Sequence, residues 1–361
     1  MGAGAGQKVA VFGAYGHTGR FVVAELAARG FVPVLSGRDA EKLKVVAVEY
    51  DAEARPASVD DPVSLDRALA GAAAVINCAG PFATTAAPVI EAALRAGIPY
   101  LDVAAEIEAN VDTFAGFADR ARAAGVPVVP AMAFYGGLGD LLATAAMGEW
   151  TAADEAHVAY GLNSWHPTPG TRIAGEVSRG RRDGRRVRFS GGRLEYRDDA
   201  APVLKWTFPE PLGAREVIGE FTMADVVTVP RHLAIPEVRT YMTVEAARDL
   251  ASPETPAPVG GGAADGGGAA DGGGAADGGA DRRSDQTFLV DVVVRSGGTE
   301  RRAVARGRDI YAVTAPLVVE ATERVLSGRT KVASGVVSAG EMFDAADFLR
   351  ALANHATVEL P

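Results

Sequence analysis

Between residues 8 and 130, short runs of β-branched and aliphatic residues alternate with longer stretches whose apolar positions recur every three to four residues. This is the pattern of strands separated by amphipathic helices. Residues 8–12, 32–35, 74–78, 100–103 and 126–129 read as strands. Residues 18–29, 62–70, 85–95 and 111–123 read as helices, stopped by Gly30, Gly71, Gly97 and Gly125. Asp61-Pro62 supplies an N-cap followed by a proline at the first helical position. A further strand is expected between Val45 and Val59, with its register open. Stacked βαβ units of this kind predict a parallel sheet.

After Ala131 the text becomes β-rich with explicit turn signals. Asp183-Gly184 reads as a two-residue hairpin turn within 179–188, and Gly297-Gly298 joins the strands 288–295 and 301–306. These hairpins predict an antiparallel sheet. The tail returns to helix over 316–326, and Ser338-Ala339-Gly340-Glu341 reads as a capping box opening a helix to about Ala353. The expected fold class is therefore α/β: an N-terminal Rossmann-type parallel sheet, then a mixed α+β domain containing an antiparallel sheet. The boundaries read as 1–133 for the first domain, 134–310 for the second, and 311–361 for C-terminal helices. Within 252–285, Gly-Gly-Gly-Ala-Ala-Asp occurs three times in succession from Gly260. Its largest apolar side chain is alanine, so it cannot bury a core and reads as a disordered loop.

Composition narrows the function classes. The chain has 361 residues and is 48% hydrophobic, with Lys+Arg 36 against Asp+Glu 46 and a formal charge of −10. That balance argues against nucleic acid or an anionic membrane as partner. The single cysteine, Cys78, excludes an intrachain disulfide and a cysteine-rich zinc site. None of the five histidines has the i, i+4 spacing of a metal-binding helix, so no metal is expected. No stretch reaches the roughly 18 apolar residues of a membrane span, and the first residues lack a basic, apolar leader. A cytoplasmic protein is the expectation.

The chemistry is concentrated in Gly13-Ala14-Tyr15-Gly16-His17-Thr18-Gly19-Arg20, placed between an apolar strand and an amphipathic helix. Gly13 allows the sharp turn, Gly16 leaves room for a pyrophosphate, and Gly19 allows close packing of helix on sheet. The helix start, with His17 and Thr18, then presents N–H groups and the favourable dipole end to phosphates. The second strand ends in Ser36-Gly37-Arg38, with Lys42 one turn beyond. An acid there would accept a ribose hydroxyl; a guanidinium suits a 2′-phosphate, so NADP(H) is the expected cofactor. The alternative is that Arg38 is merely solvated and Asp39 contacts the ribose. Asp60 could meet the adenine or simply cap a helix. Asn77-Cys78-Ala79-Gly80-Pro81-Phe82 breaks a strand at the sheet's carboxyl edge, which makes Asn77, Gly80, Pro81 and Phe82 cofactor candidates. Cys78 reads as a small core residue.

These segments, together with Tyr100-Leu101-Asp102-Val103-Ala104-Ala105-Glu106 and the late Gly340-Glu341, resemble the saccharopine dehydrogenase-like oxidoreductases. The resemblance covers the first 130–140 residues well and the tail loosely. It implies an NADP-binding Rossmann domain, a mixed α/β substrate domain, final helices that pack back on the nucleotide domain, and hydride transfer to an imine or, in relatives, an enoyl group. Two departures stand out. Ala104-Ala105-Glu106 replaces the family's Thr-Gly-Glu, and the run Phe134 to Asp140 keeps only the last acid of Asp-Ser-Val-Pro-Ser-Asp.

Hydride transfer needs a proton donor and groups to hold the substrate. Tyr135 and His166 are the catalytic candidates. Asp102, Glu106, Asp140, Thr171 and Arg172 are the substrate-binding candidates, Thr171 and Arg172 suiting a carboxylate-bearing small molecule. Tyr135 could equally be a packed interdomain residue, and Asp102 a turn cap. The seven arginines from Arg179 to Arg193 read as a solvated hairpin face. The expected function is NADPH-dependent reduction of a small-molecule imine. An enoyl or carbonyl reductase acting on a free or carrier-bound intermediate, and a non-catalytic NADP-binding sensor or scaffold, are the alternatives; a homodimer is allowed.

Overall fold

The computed structural model describes residues 6–258 and 284–361. The first layer follows the alternation in the sequence. Strands β1 (Lys8–Phe12), β2 (Val32–Gly37), β3 (Glu53–Pro56), β4 (Ala74–Asn77), β5 (Tyr100–Asp102) and β6 (Pro127–Val129) alternate with helices α1 (His17–Ala28), α2 (Ala40–Tyr50), α3 (Pro62–Leu69), α4 (Phe82–Ala96) and α5 (Ile107–Ala124). The strands pair in parallel in the order β6-β5-β4-β1-β2-β3. In β1, Val9 and Val11 face α1, while Ala10 and Phe12 face the opposite layer with Val89 and Ile90 of α4. This period-2 division lets both faces of the sheet be buried, as a parallel sheet requires. The chain runs outward from β1 to β3 and then returns to β4 on the other side of β1. That reversal creates a topological switch point, where ligands enter open α/β sheets.

The strand expected within 45–59 is β3, but residues 45–50 belong to α2, whose Leu43 and Val46 are buried against the sheet. Helix α3 starts as its sequence indicates, with Asp61 accepting from the Val63 and Ser64 N–H groups.

A kinked turn (Phe134–Leu138), non-helical at Tyr135 and Gly136, leads into α6 (Gly139–Met147) and a second sheet. It comprises β7 (Glu155–Leu162), the hairpin β8 (Arg186–Ser190) and β9 (Arg193–Arg197), then β10 (Val203–Thr207), β11 (Ala214–Gly219), β12 (Glu237–Thr243), β13 (Thr287–Ser296), β14 (Thr299–Arg308) and β16 (Ala356–Glu359). The order is β10-β11-β12-β7-β13-β14-β16, and the hairpin pairs with β12. The sheet is mixed rather than antiparallel throughout, because β12 and β7 run parallel. Three helices accompany it: α7 (Pro169–Arg181), the short α8 (Asp225–Thr228) and α9 (Val244–Ala251).

Gly297-Gly298 joins β13 to β14 as expected, and one turn assignment is corrected. Asp183 and Gly184 do adopt positive φ, but they join α7 to β8; the hairpin turn is Gly191-Gly192. The arginine-rich face is held by acids: Arg186 pairs with Glu220 and Asp199, and Arg188 with Glu195 and Glu220.

The tail serves both layers. Helix α10 (Thr314–Leu326) lies along α1, and Arg29 bridges to Glu320 (2.5 Å) and Glu323 (3.4 Å). The short strand β15 (Gly335–Val336) extends the first sheet beside β6, and β16 closes the second. The expected capping box is not completed, since the Ser338 hydroxyl caps nothing, and the helix is only one turn, α11 (Ala339–Met342), before the backbone at Phe343 becomes extended; α12 (Ala345–Ala351) restarts from an Asp344 cap. The repeat tract from Gly260 to Gly279 lies outside the described residues.

Candidate active site

At the switch point, the turn after β1 meets the turn after β4. Gly13 has φ +86°, and a Cβ there would come within 2.8 Å of the Ala79 nitrogen. A Cβ on Gly19 would overlap the Gly13 carbonyl oxygen. A Cβ on Gly16 would meet only that oxygen, at 3.2 Å. Gly13 and Gly19 are thus fixed by packing, whereas Gly16 keeps the loop open on its outer side. No side chain caps α1, so its first N–H groups are left for a ligand. Thr18 is half-buried in this first turn. The ring of His17 turns away from the loop and meets Phe21 and Tyr311 edge-on at 5.4 and 5.1 Å. Its Nε2 is buried without a hydrogen-bond partner, and burial lowers its pKa, so the ring is neutral.

At the end of β2, Arg38 is exposed and unpaired. Lys42 sits 6.0 Å from the centre of the Tyr15 ring. The Asp39 carboxylate caps α2, its Oδ1 accepting from the Glu41 and Lys42 N–H groups at 3.1 and 3.0 Å, so it is committed to the helix. Ser36 is fully buried; it holds the glycine loop through its carbonyl, which accepts from the N–H groups of Gly13 and Ala14. Its hydroxyl is buried without a hydrogen-bond partner. Asp60 is exposed beyond β3, and the cap beside it is Asp61.

The loop after β4 presents Gly80 and Pro81, while Asn77 is turned inward. Asn77 donates to the Tyr100 hydroxyl at 3.1 Å and accepts from the Ala79 N–H at 3.0 Å. Phe82 is buried against the sheet. The Glu106 carboxylate accepts from the Phe82 and Ala83 N–H groups at 2.6 and 3.0 Å, capping α4. Burial raises its pKa. Asp102 is also buried; it accepts from the Tyr100 hydroxyl (2.9 Å) and the Ala104 and Ala131 N–H groups (3.0 and 2.8 Å). Burial pushes it up to about 6 despite those donors. Both oxygens of each acid thus accept bonds from the fold. Cys78 packs against the core, and burial pushes its thiol up.

The second domain contributes an aromatic wall. Tyr135 is only 7% exposed, with ring contacts to Tyr160 and Trp165, both at 4.9 Å. Its hydroxyl is buried without a partner, and burial raises its pKa well above 10, so it remains protonated. Behind it, Tyr160 donates to both oxygens of Asp225 at 3.0 Å; burial pushes Asp225 up to about 7.

Asp140 is elsewhere committed. One oxygen lies 2.7 Å from His232 Nε2 and the other accepts from the Gly340 N–H at 2.8 Å, tying α6 to α11. Arg172 donates to the Ser252 and Thr255 carbonyls at 3.0 and 2.9 Å. Through that one nitrogen, Nη2, it braces the start of α7 against the segment after α9. Thr171 bonds Thr168 and Tyr311 at 2.9 and 3.1 Å. His166 is half-buried and enters the network through its carbonyl, which accepts from Tyr311 at 3.4 Å.

The sequence reading missed Tyr311, Trp165 and Asp225. Each is brought in by tertiary contacts more than sixty residues away, and no local motif marks it.

Residues 9–129 match the family described as "Saccharopine dehydrogenase NADP binding domain". A probable mitochondrial saccharopine dehydrogenase-like oxidoreductase of Arabidopsis thaliana is 32% identical over 141 residues, covering 34% of this chain and 31% of that protein. The human saccharopine dehydrogenase-like oxidoreductase is 32% identical over 115 residues, 27% of each. These matches thus span about a third or less of the curated relatives. The apo saccharopine dehydrogenase (L-Glu forming) of Saccharomyces cerevisiae superposes with a TM-score of 0.65 at 14% identity, covering 99% of this chain and 100% of that one, a likeness of fold. The expected cytoplasmic location is overturned by the Arabidopsis relative, which is named as mitochondrial. Among the described residues, no helix is long and apolar enough to cross a membrane.

Proposed function

With residues 9–129 a saccharopine dehydrogenase-type NADP-binding domain, we propose that the chain is an NADPH-dependent reductase of a small-molecule imine. The observation that carries this reading is the open glycine loop beside an unpaired Arg38, while the nearest acid, Asp39, caps a helix through Oδ1. Residues 1–133 supply the cofactor side: Gly13, Gly16 and Gly19 with the first turn of α1 take the pyrophosphate, and Arg38 with Lys42 takes the 2′-phosphate. Gly80 and Pro81 line the nicotinamide end. Bound NADPH supplies the hydride to the acceptor carbon. Tyr135 delivers its proton to the nitrogen as the C=N π bond breaks, a role supported by its unpartnered hydroxyl beside Trp165.

Arg172 favours a second reading. With its Nη2 held by two carbonyls, Arg172 offers a substrate carboxylate fewer donors, and a neutral enoyl or carbonyl acceptor suits the aromatic wall. Following NADPH absorbance with a panel of imines, enones and aldehydes tests both. Oxidation with imines alone supports the first reading, and turnover of enones or aldehydes the second. Tight NADPH binding with no oxidation across the panel would make the chain a cofactor-binding sensor instead.

A further inference from the structure

The turn between β14 and α10 comes from the far end of the chain yet lies against both halves of the site. Asp309 shapes it: Oδ1 accepts from the Tyr311 and Ala312 N–H groups, both at 3.0 Å, and Oδ2 accepts from the Ser284 N–H at 2.7 Å. Gln286 braces it from β13, accepting from the Ile310 N–H at 3.1 Å and donating to the Ser164 carbonyl. From this fixed turn the Tyr311 hydroxyl reaches the segment ahead of α7. It accepts from Trp165 Nε1 and the Thr168 N–H, both at 3.3 Å, and bonds the Thr171 hydroxyl at 3.1 Å. Its ring meets His17, the first residue of α1 and the one whose N–H stands at the phosphate end of the helix.

We propose that Tyr311 is a positioning residue that couples occupancy of the glycine loop to the order of residues 165–172. A ligand held by the start of α1 restrains His17; the His17 ring restrains Tyr311; and Tyr311 fixes Trp165, Thr168 and Thr171 at once. The segment so fixed sits beside Tyr135, through the Trp165 ring, and leads into α7, whose Ala174 approaches Gly80 at 3.8 Å measured from a Cβ position there. Cofactor binding thus shapes the substrate side through a contact contributed by the tail. The coupling rests on the reading that the glycine loop binds NADP(H).

The test is amide hydrogen exchange of the full chain with and without saturating NADP⁺, alongside an NADP⁺ titration of each variant. In the wild type, NADP⁺ slows exchange at residues 165–172 at least fivefold. In Tyr311→Phe, which keeps the ring against His17 and removes the hydroxyl, that slowing falls below twofold while the NADP⁺ Kd changes less than threefold. A purely structural Tyr311 would raise exchange equally with and without NADP⁺ and leave the ratio intact, which would overturn the proposal. His17→Ala cuts the same link from the other side and keeps the proposal testable should Tyr311→Phe not fold; it too must lose the NADP⁺-dependent slowing. NADP⁺ binding to the wild type with no slowing at 165–172 overturns the coupling alone. No NADP⁺ binding to the wild type overturns the cofactor reading, and the coupling with it.

Discussion

The two ends of the crevice treat their polar groups in opposite ways. At the nucleotide end, the first turn of α1 has no side-chain cap, Arg38 has no partner and Lys42 only borders a tyrosine ring. On the side expected to hold substrate, Asp102, Glu106, Asp140 and Arg172 all bond other groups of the fold. Unsatisfied groups near the surface await a ligand, while satisfied buried groups hold the fold, because leaving them unpaired would cost about 1–3 kcal/mol each. Reading residue type alone therefore overstates the polarity offered to the substrate, and the Tyr135 hydroxyl is a buried polar group left without a partner there.

Substitutions can break this contrast. The largest effect is expected from Gly19→Ala, whose methyl would overlap the Gly13 carbonyl. Overpacking of this kind costs roughly 1–3 kcal/mol or more. Thermal unfolding should show the loss of stability and calorimetry the loss of NADP⁺ binding. Tyr135→Phe should lower turnover of whichever acceptor is reduced by about 10²–10⁴-fold, the usual worth of a general acid. Because its hydroxyl has no partner, stability should be unchanged or slightly raised; a stability loss without a rate effect would make Tyr135 a packing residue.

The acids give a pH signature. Asp225 stands at about 7 in the folded chain against an ordinary value of 3.8. The folded protein therefore keeps a proton that the unfolded chain releases, so stability falls as pH rises from about 4 to about 7. Asp102 adds to the fall only up to about 6. Asp225→Asn should remove the slope between pH 6 and 7, worth on the order of 1 kcal/mol in denaturant unfolding, and a slope that persists there would reject the assignment. The smallest effect is expected at Arg172. Arg172→Ala should cost about 1–2 kcal/mol of stability and leave KM for the acceptor nearly unchanged, whereas a large KM rise without destabilisation would return Arg172 to carboxylate binding.

The division between what was legible and what was not follows the same line. Gly13, Gly16, Gly19 and Arg38 lie within local strand–turn–helix units whose geometry depends on near neighbours, so spacing alone located them. The Asp61-Pro62 helix start was legible for the same reason. The bonds of Thr171 and Arg172 were not legible, because their partners, Tyr311 and the 252–255 segment, lie far along the chain. Asp183-Gly184 shows the limit of turn chemistry: two residues at positive φ were foreseeable, but whether they follow a helix or a strand depends on Ser178 and Arg182 meeting Glu108 of α5, which anchors the end of α7.

The central claim is that the open end of the crevice is built for a 2′-phosphate. It is tested most directly by titrating NADPH and NADH into the wild type and Arg38→Ala. The account predicts that the wild type prefers NADPH by at least tenfold, and that Arg38→Ala loses most of that preference by weakening NADPH alone, as expected for one charge-assisted contact worth roughly 1.5–3 kcal/mol. Equal or tighter binding of NADH by the wild type would contradict it.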